Sequence, residues 1–266
     1  MKQFIFILAL LVLLSSASAD IFVVDPVLQH VSSSSSIDLG SIQPGETFEL
    51  IISKDAGHGK DSYWISAVPS TSDLPKNFNV SSSIPGSESH IITVKVPGNA
   101  LIGDYSFQVL MSNVSGRIEN ESLTATFRVQ NDLLNASLSN PSQLATLGKQ
   151  VDFKMNLLNN SLSSEKISIF SSSPSTWFSP IQLELKRNSF QEIDLKVFPQ
   201  LHGTHNVDFT VYSDTLNKSI AFFKADISVK PTLRSKYDVA LQGFPFFTIT
   251  LLPYYLFNSF VTGLGH

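Results

Sequence analysis

His202 and His205 stand three residues apart, and Asp208 follows at the same interval. On one helical turn that spacing would aim two imidazoles at a shared metal ion, which needs three or four ligands. The segment is instead a glycine turn, His202-Gly203, leading into the alternating run Val207, Phe209, Val211. It reads as turn and strand, and no metal is expected. Asp55, His58 and Asp61 crowd a loop that also holds Lys54 and Lys60. Their spacing fits no EF-hand register and the lysines oppose a cation, so the loop reads as solvated. Two aromatic pairs, Tyr63-Trp64 and Trp177-Phe178, offer a different chemistry. Exposed rings stack on sugar faces, which makes Trp64 and Trp177 candidates for carbohydrate stacking. The competing reading packs both indoles into a core, where a large ring removes much apolar area from water.

Six Asn-x-Ser sequons, at Asn79, Asn113, Asn120, Asn135, Asn159 and Asn217, are candidate glycosylation sites, while Asn140 is disqualified by Pro141. A chain this rich in Ser and Asn also generates such triplets by chance. No G-x-S-x-G elbow, Walker loop or dinucleotide fingerprint occurs, and no pair of carboxylates is set to converge. The chain is therefore expected not to be an enzyme and to need no cofactor.

Charged residues make up 15% of the chain and the formal net charge is −4, so no basic field exists to attract nucleic acid. Cysteine is absent, which removes disulfide staples, thiol nucleophiles and thiolate metal sites at once. Lys2, the apolar run of 11 residues from Phe4 to Leu14, and Ala17-Ser18-Ala19 have the layout of a secretory signal. Residues 1–19 are expected to be a signal peptide, with Asp20 as the mature N-terminus and the chain exported. The apolar run is short for a membrane span of about 20 residues.

The elements that carry these residues repeat. Gly103-Asp104-Tyr105-Ser106-Phe107-Gln108-Val109 is echoed at an offset of 100 residues by Gly203-Thr204-His205-Asn206-Val207-Asp208-Phe209. The run Leu123, Ala125, Phe127, Val129 is echoed by Phe223, Ala225, Ile227, Val229 at the same offset. Fixed-period similarity marks a duplicated folding unit. Period-two alternation dominates both copies, as in Phe48, Leu50, Ile52 and Ile92, Val94, Val96, then Val151, Phe153, Met155 and Ile193, Leu195, Val197. Alternating strands separated by Gly/Pro turns predict an all-β protein. A unit near 100 residues has the size of an immunoglobulin-like sandwich, so two tandem immunoglobulin-like antiparallel β-sandwiches are expected. The first would run over 20–130 and the second over 131–231. The serine run Ser32 to Ser36 reads as a loop inserted in the first unit, with a flexible tether as its alternative.

Pro44-Gly45-Glu46-Thr47 before a strand, Val96-Pro97, and Gly103-Asp104-Tyr105 before another strand carry a family resemblance. They resemble the immunoglobulin-like domains appended to alpha-galactosidases and repeated in archaeal and bacterial surface proteins. The second unit offers a weaker version through Gly148, Phe198-Pro199 and His205, and Pro174-Ser175-Thr176-Trp177 is similar to that family's proline-then-tryptophan element. The resemblance implies a fold and an extracellular scaffold or accessory role, and no catalytic residues.

After Asp238 the chain is uncharged through Gly265 and strongly apolar. An exposed stretch of this kind must meet a membrane, a partner or its own chain. Phe244, Phe246, Phe247, Leu251, Tyr254, Tyr255, Phe257 and Phe260 are the expected membrane or partner contacts of this hydrophobic C-terminal tail, 232–266. Pro253 argues against one long helix and suits the first position of a short one, so a span, an interfacial helix, packing on the second unit and a removable anchor signal all remain open. The expected function is a non-enzymatic structural or adhesion-type protein on the extracellular side of the cell membrane. Its tail would contact the membrane or a membrane protein, and its loops other surface proteins or glycans. A carbohydrate-binding accessory module using Trp64 or Trp177 is the alternative.

Overall fold

Side chains on a strand alternate between two faces, so a period-two sequence with one apolar set can bury that set only against a second sheet. Both copies of the repeat do this. The computed structural model describes residues 21–54, 64–83, 89–113, 121–231 and 257–260, the side chains of Lys54, Ile65 and Asn113 excepted. The leader at 1–19, the Asp55, His58 and Asp61 loop, Tyr63, Asn120, and the tail positions Phe244, Phe246, Phe247, Leu251, Tyr254 and Tyr255 lie outside the described residues. The chain divides into two units: one holds the residues up to Leu133 together with 159–164 and 186–188, and the other holds the rest.

Unit 1 contains β1 (Ile21–Asp25), β2 (Gln29–Val31), β3 (Ser35–Ile42), β4 (Thr47–Lys54), β5 (Trp64–Ser70), β6 (Asn79–Ser83), β7 (Ser89–Lys95), β8 (Gly103–Asn113) and β9 (Glu121–Val129). One sheet has the order β2-β1-β4-β7-β6 and the other β3-β9-β8-β5. This is an immunoglobulin-like arrangement, with four of the strands ordered A-B-E-D in one sheet and the C, F and G strands in the other. Phe48, Leu50 and Ile52 from β4, Ile92 and Val94 from β7, and Phe107, Val109 and Met111 from β8 are buried between them. Phe127 of β9 is the hub, with ring centroids 5.2 Å from Phe48, 5.8 Å from Tyr105, 6.2 Å from Phe78 and 6.3 Å from Phe107.

Unit 2 contains β10 (Leu134–Ser139), β11 (Ser142–Thr146), β12 (Val151–Asn159), β13 (Glu165–Ser171), β14 (Ile181–Leu185), β15 (Ser189–Val197), β16 (Gly203–Ser213) and β17 (Lys218–Lys230). Its sheets are β10-β12-β15 and β11-β17-β16-β13-β14. Phe209 occupies the centre, 5.6 Å from Phe153 and 5.5 Å from Phe178. The copies differ in one strand. In unit 1 the short strand β6 pairs with β7, whereas in unit 2 the short strand β14 crosses to pair with β13 in the other sheet.

The expected glycine turns coincide in structure. Gly45 (φ 94°) and Gly148 (φ 70°) both take a left-handed conformation open to glycine at little cost. Each donates its N–H across the sandwich end, to the Val96 carbonyl at 3.2 Å and the Pro199 carbonyl at 2.9 Å. Two features depart from expectation. The sandwiches are not wholly antiparallel: β3 runs parallel to β9, and β11 parallel to β17. The serine run is not an inserted loop, because Ser35 and Ser36 open β3 and pair with Leu123 and Thr124. Ser34 turns the chain at φ 64° and its N–H meets the Ser122 carbonyl at 2.7 Å. A polar run on an edge strand has no apolar alternation to announce it until Ile37 and Leu39 turn inward.

Each unit holds one tryptophan, so the two can be read separately. Phe127→Ala and Phe209→Ala are each expected to cost about 3–5 kcal/mol by cavity formation and lost transfer energy. Urea unfolding followed through Trp64 in a Trp177→Phe background, and the reverse, should place each loss in its own unit.

Candidate functional site

The tryptophans are core residues. Trp64 opens β5 and is 5% exposed; its indole N–H donates to Glu121 Oε2 at 3.1 Å, and its carbonyl accepts from the His90 ring at 3.1 Å. Trp177 is 4% exposed, lies in the turn where its backbone N–H meets the Pro174 carbonyl at 2.8 Å, and meets the His205 ring edge-on at 5.0 Å. Neither indole offers a face to a sugar, so the carbohydrate-stacking expectation at Trp64 and Trp177 is corrected. Both rings serve burial instead, and the Trp64 N–H finds a partner at the buried end, as an indole must.

His205 is fixed by the same corner that Tyr105 forms in the first copy. The Tyr105 hydroxyl donates to the Leu101 carbonyl at 2.8 Å. The His205 Nε2 lies 3.1 Å from the Leu201 carbonyl and 3.1 Å from that of His202. A carbonyl can only accept, so the proton sits on that nitrogen. A side chain bonding back to the backbone four residues upstream matches the tyrosine corner of such sandwiches, and histidine takes the hydroxyl's place in the second copy. Tyr105→Phe is expected to lower stability by about 1 kcal/mol, the usual net contribution of one such bond. His205→Tyr should preserve unit 2, as read by urea titration.

The sequons separate by exposure. Asn79, Asn135 and Asn217 are exposed, whereas Asn159 is fully buried. The Asn159 Nδ2, the atom a glycan would occupy, donates to the Ser163 carbonyl at 2.8 Å and the Lys186 carbonyl at 3.1 Å. Asn159 is therefore corrected from a candidate acceptor to a structural residue: its triplet sits in a folded loop instead of a free one. In a secretory host that glycosylates, glycan release should leave the mass at Asn159 unchanged, while Asn79, Asn135 and Asn217 are open to modification.

Arg128 with Asp104, and Lys154 with Glu192, form ion pairs exposed to water. Arg128 Nε meets Asp104 Oδ1 at 2.6 Å beside an open groove of about 300 Å³ that Asp38 and Thr126 also line. The Arg128 guanidinium, bonded to Asp104, holds that carboxyl below its ordinary value, and Asp104 raises Arg128 in turn. Both groups face water, so the pair adds little to stability. Among the described residues no group of three His, Asp or Glu side chains could hold a metal.

The outward faces of the C-F-G sheets carry what the sequence analysis missed. In unit 1, Val68 of β5 pairs with Leu110 of β8, which pairs with Ser122 of β9. In unit 2, Phe170 of β13 pairs with Thr210 of β16, which pairs with Phe222 of β17. Leu110 and Thr210, like Ser122 and Phe222, stand at the 100-residue offset, so the two rows occupy the same place in each sandwich. Val68 (53%), Leu110 (43%), Phe170 (42%) and Phe222 (55%) are exposed. The signal was present as an apolar residue on the polar beat of an alternating strand: Leu110 between Val109 and Met111, Phe170 after Ile169, Phe222 before Phe223.

No family model and no curated protein matches the chain. Tandem immunoglobulin-like domains are among the solved structures it resembles. A chimeric titin Z1Z2 is 11% identical over 81% of this chain and 98% of that one, with a TM-score of 0.41. The tandem Ig repeats of Dlar are 12% identical over 81% and 100%, with a TM-score of 0.28. A family 123 glycoside hydrolase from Clostridium perfringens is 16% identical with a TM-score of 0.32, over 38% of this chain; the chain spans 28% of that enzyme's length.

Proposed function

We propose that this chain is a non-enzymatic, exported structural or adhesion-type protein, held near a membrane by its C-terminal tail and meeting partners through the outer faces of its sandwiches. The observation that carries the reading is where apolar side chains meet water. They form rows on the C-F-G faces, and they recur at the end of the tail. Residues 257–260 form one helical turn in which Phe257 and Phe260 are each 72% exposed. Positions three apart share one side of a helix, so two rings face the same way, as an interfacial segment requires.

The leader-like N-terminus supports export, and the uncharged run after Asp238 supports a membrane or membrane-protein contact. Among the described residues no helix is long and apolar enough to cross a membrane, and the Pro253-containing segment suits a short helix lying in the interface. The Trp-based sugar-binding alternative loses its residues to the core. Membrane fractionation of the full chain against a version ending at Pro231 tests the reading. The full chain is expected in the membrane pellet and the shortened one in the supernatant; a full chain that stays soluble overturns the anchoring.

A further inference from the structure

Unit 1 buries three polar side chains that the adhesion reading leaves unused. Gln43 is 1% exposed, and Glu46 and Ser161 are fully buried. Gln43 and Glu46 flank the Pro44-Gly45 turn, and Ser161 reaches them from the 159–164 segment of the same unit. The Ser161 hydroxyl donates to Glu46 Oε2. The Gln43 carboxamide donates through Nε2 to Glu46 Oε1 at 3.2 Å. One carboxylate therefore holds a hydroxyl on one oxygen and a primary amide on the other.

These are a nucleophile, a general base and an acyl group with its leaving group, shut away from water. The surroundings keep Glu46 an acceptor, because the Gln43 backbone N–H also donates to Oε2, at 2.9 Å. The nucleophile is oriented as well. The Ser163 N–H donates to Ser161 Oγ at 3.2 Å, which leaves the hydroxyl hydrogen turned to Glu46. The Ser161 N–H donates to Asn159 Oδ1 at 2.8 Å, and its carbonyl accepts from the Asn188 N–H at 3.1 Å. Its neighbour Leu162 lies in the unit 1 core and donates its N–H to the Ser41 carbonyl at 2.9 Å. Groups held in this way react as if at effective concentrations of about 10⁵ M or more. A positioned base adds roughly 10²–10⁴-fold.

We propose that Ser161 and Gln43 join as an intramolecular ester. Glu46 takes the hydroxyl proton as Ser161 Oγ bonds to Gln43 Cδ. The Cδ–Nε2 bond then breaks, and the nitrogen leaves as ammonia carrying that proton. Nothing is oxidised or reduced, and no co-reactant is needed. Escape of ammonia makes the step one-way, and exclusion of water protects the ester from hydrolysis. The link ties the Gly45 turn to a segment far along the chain, and closing so long a loop takes entropy from the unfolded state. In a chain without cysteine it supplies the staple that a disulfide supplies in other exported domains.

Peptide mass mapping of the folded full chain is the test. Trypsin releases Gln43 in the peptide that ends at Lys54, and Ser161 in the peptide Met155–Lys166. The two are expected as one joined species, about 17 Da below their sum for the lost ammonia. Mild hydroxylamine, which cleaves esters, should separate them. Ser161→Ala and Glu46→Gln are each expected to give separate peptides, with Trp64 emission reporting that unit 1 remains folded. Wild-type peptides found apart at their sequence masses overturn the proposal. So does a loss of ammonia confined to one peptide, as from ring closure at an asparagine, or a joined species that survives Ser161→Ala. The tail takes no part in this readout, so it stands or falls separately from the anchoring.

Discussion

Cysteine is absent from the chain, so no disulfide joins the two sheets of either sandwich, and buried apolar surface is what chiefly holds them face to face. Everything else follows from how that burial is arranged. Phe127 and Phe209 lie in the G and F strands of their units and gather rings from the opposite sheet. The glycine turns at Gly45 and Gly148 and the corners at Tyr105 and His205 close the ends of the layers with hydrogen bonds, where unpaired carbonyls would otherwise be costly. Because the inward set of each strand is committed to this core, only the outward set is free to diverge between copies. The Val68–Leu110–Ser122 and Phe170–Thr210–Phe222 rows are that freedom made visible.

Much of the fold was legible because it depends on alternation, which is local. The inward faces of β4, β7, β9, β12 and β17 follow directly from Phe48, Ile92, Leu123, Phe153 and Ala225 and their period-two neighbours. The 100-residue offset even pairs Tyr105 with His205, two chemically different groups that both reach the carbonyl four residues upstream. What alternation cannot express is sheet membership. β6 and β14 occupy corresponding places in the chain, yet they join opposite sheets, since the loops around a short strand decide which edge it reaches. Nor can it tell which face of an indole meets solvent, and so Trp64 and Trp177 were ambiguous until their burial was known. Asn159 is a parallel case: the triplet is visible in the sequence, but the carbonyls of Ser163 and Lys186 that occupy its amide are brought to it by the fold.

The candidate surface was less legible than the core for a related reason. An apolar residue on the polar beat looks like noise in one strand. It becomes a signal when the register places it beside another, as Leu110 beside Val68, and when the sister unit shows exposed aromatics at the same place. The scaffold is shared, and the outward faces are where the copies disagree.

The change of allegiance between β6 and β14 leaves the units with different open edges. β5 is an edge strand in unit 1 and holds Pro69, which has no N–H to offer a newcomer. In unit 2 β14 lies outside β13 and ends that sheet, while β15 ends the other sheet, and its Glu192, Asp194 and Lys196 are exposed and discourage further pairing. Tandem copies of one domain, folding while tethered, are prone to exchange segments. The divergence of that one strand thus leaves two otherwise matching halves with unlike edges, guarded by a proline in one and by charges in the other.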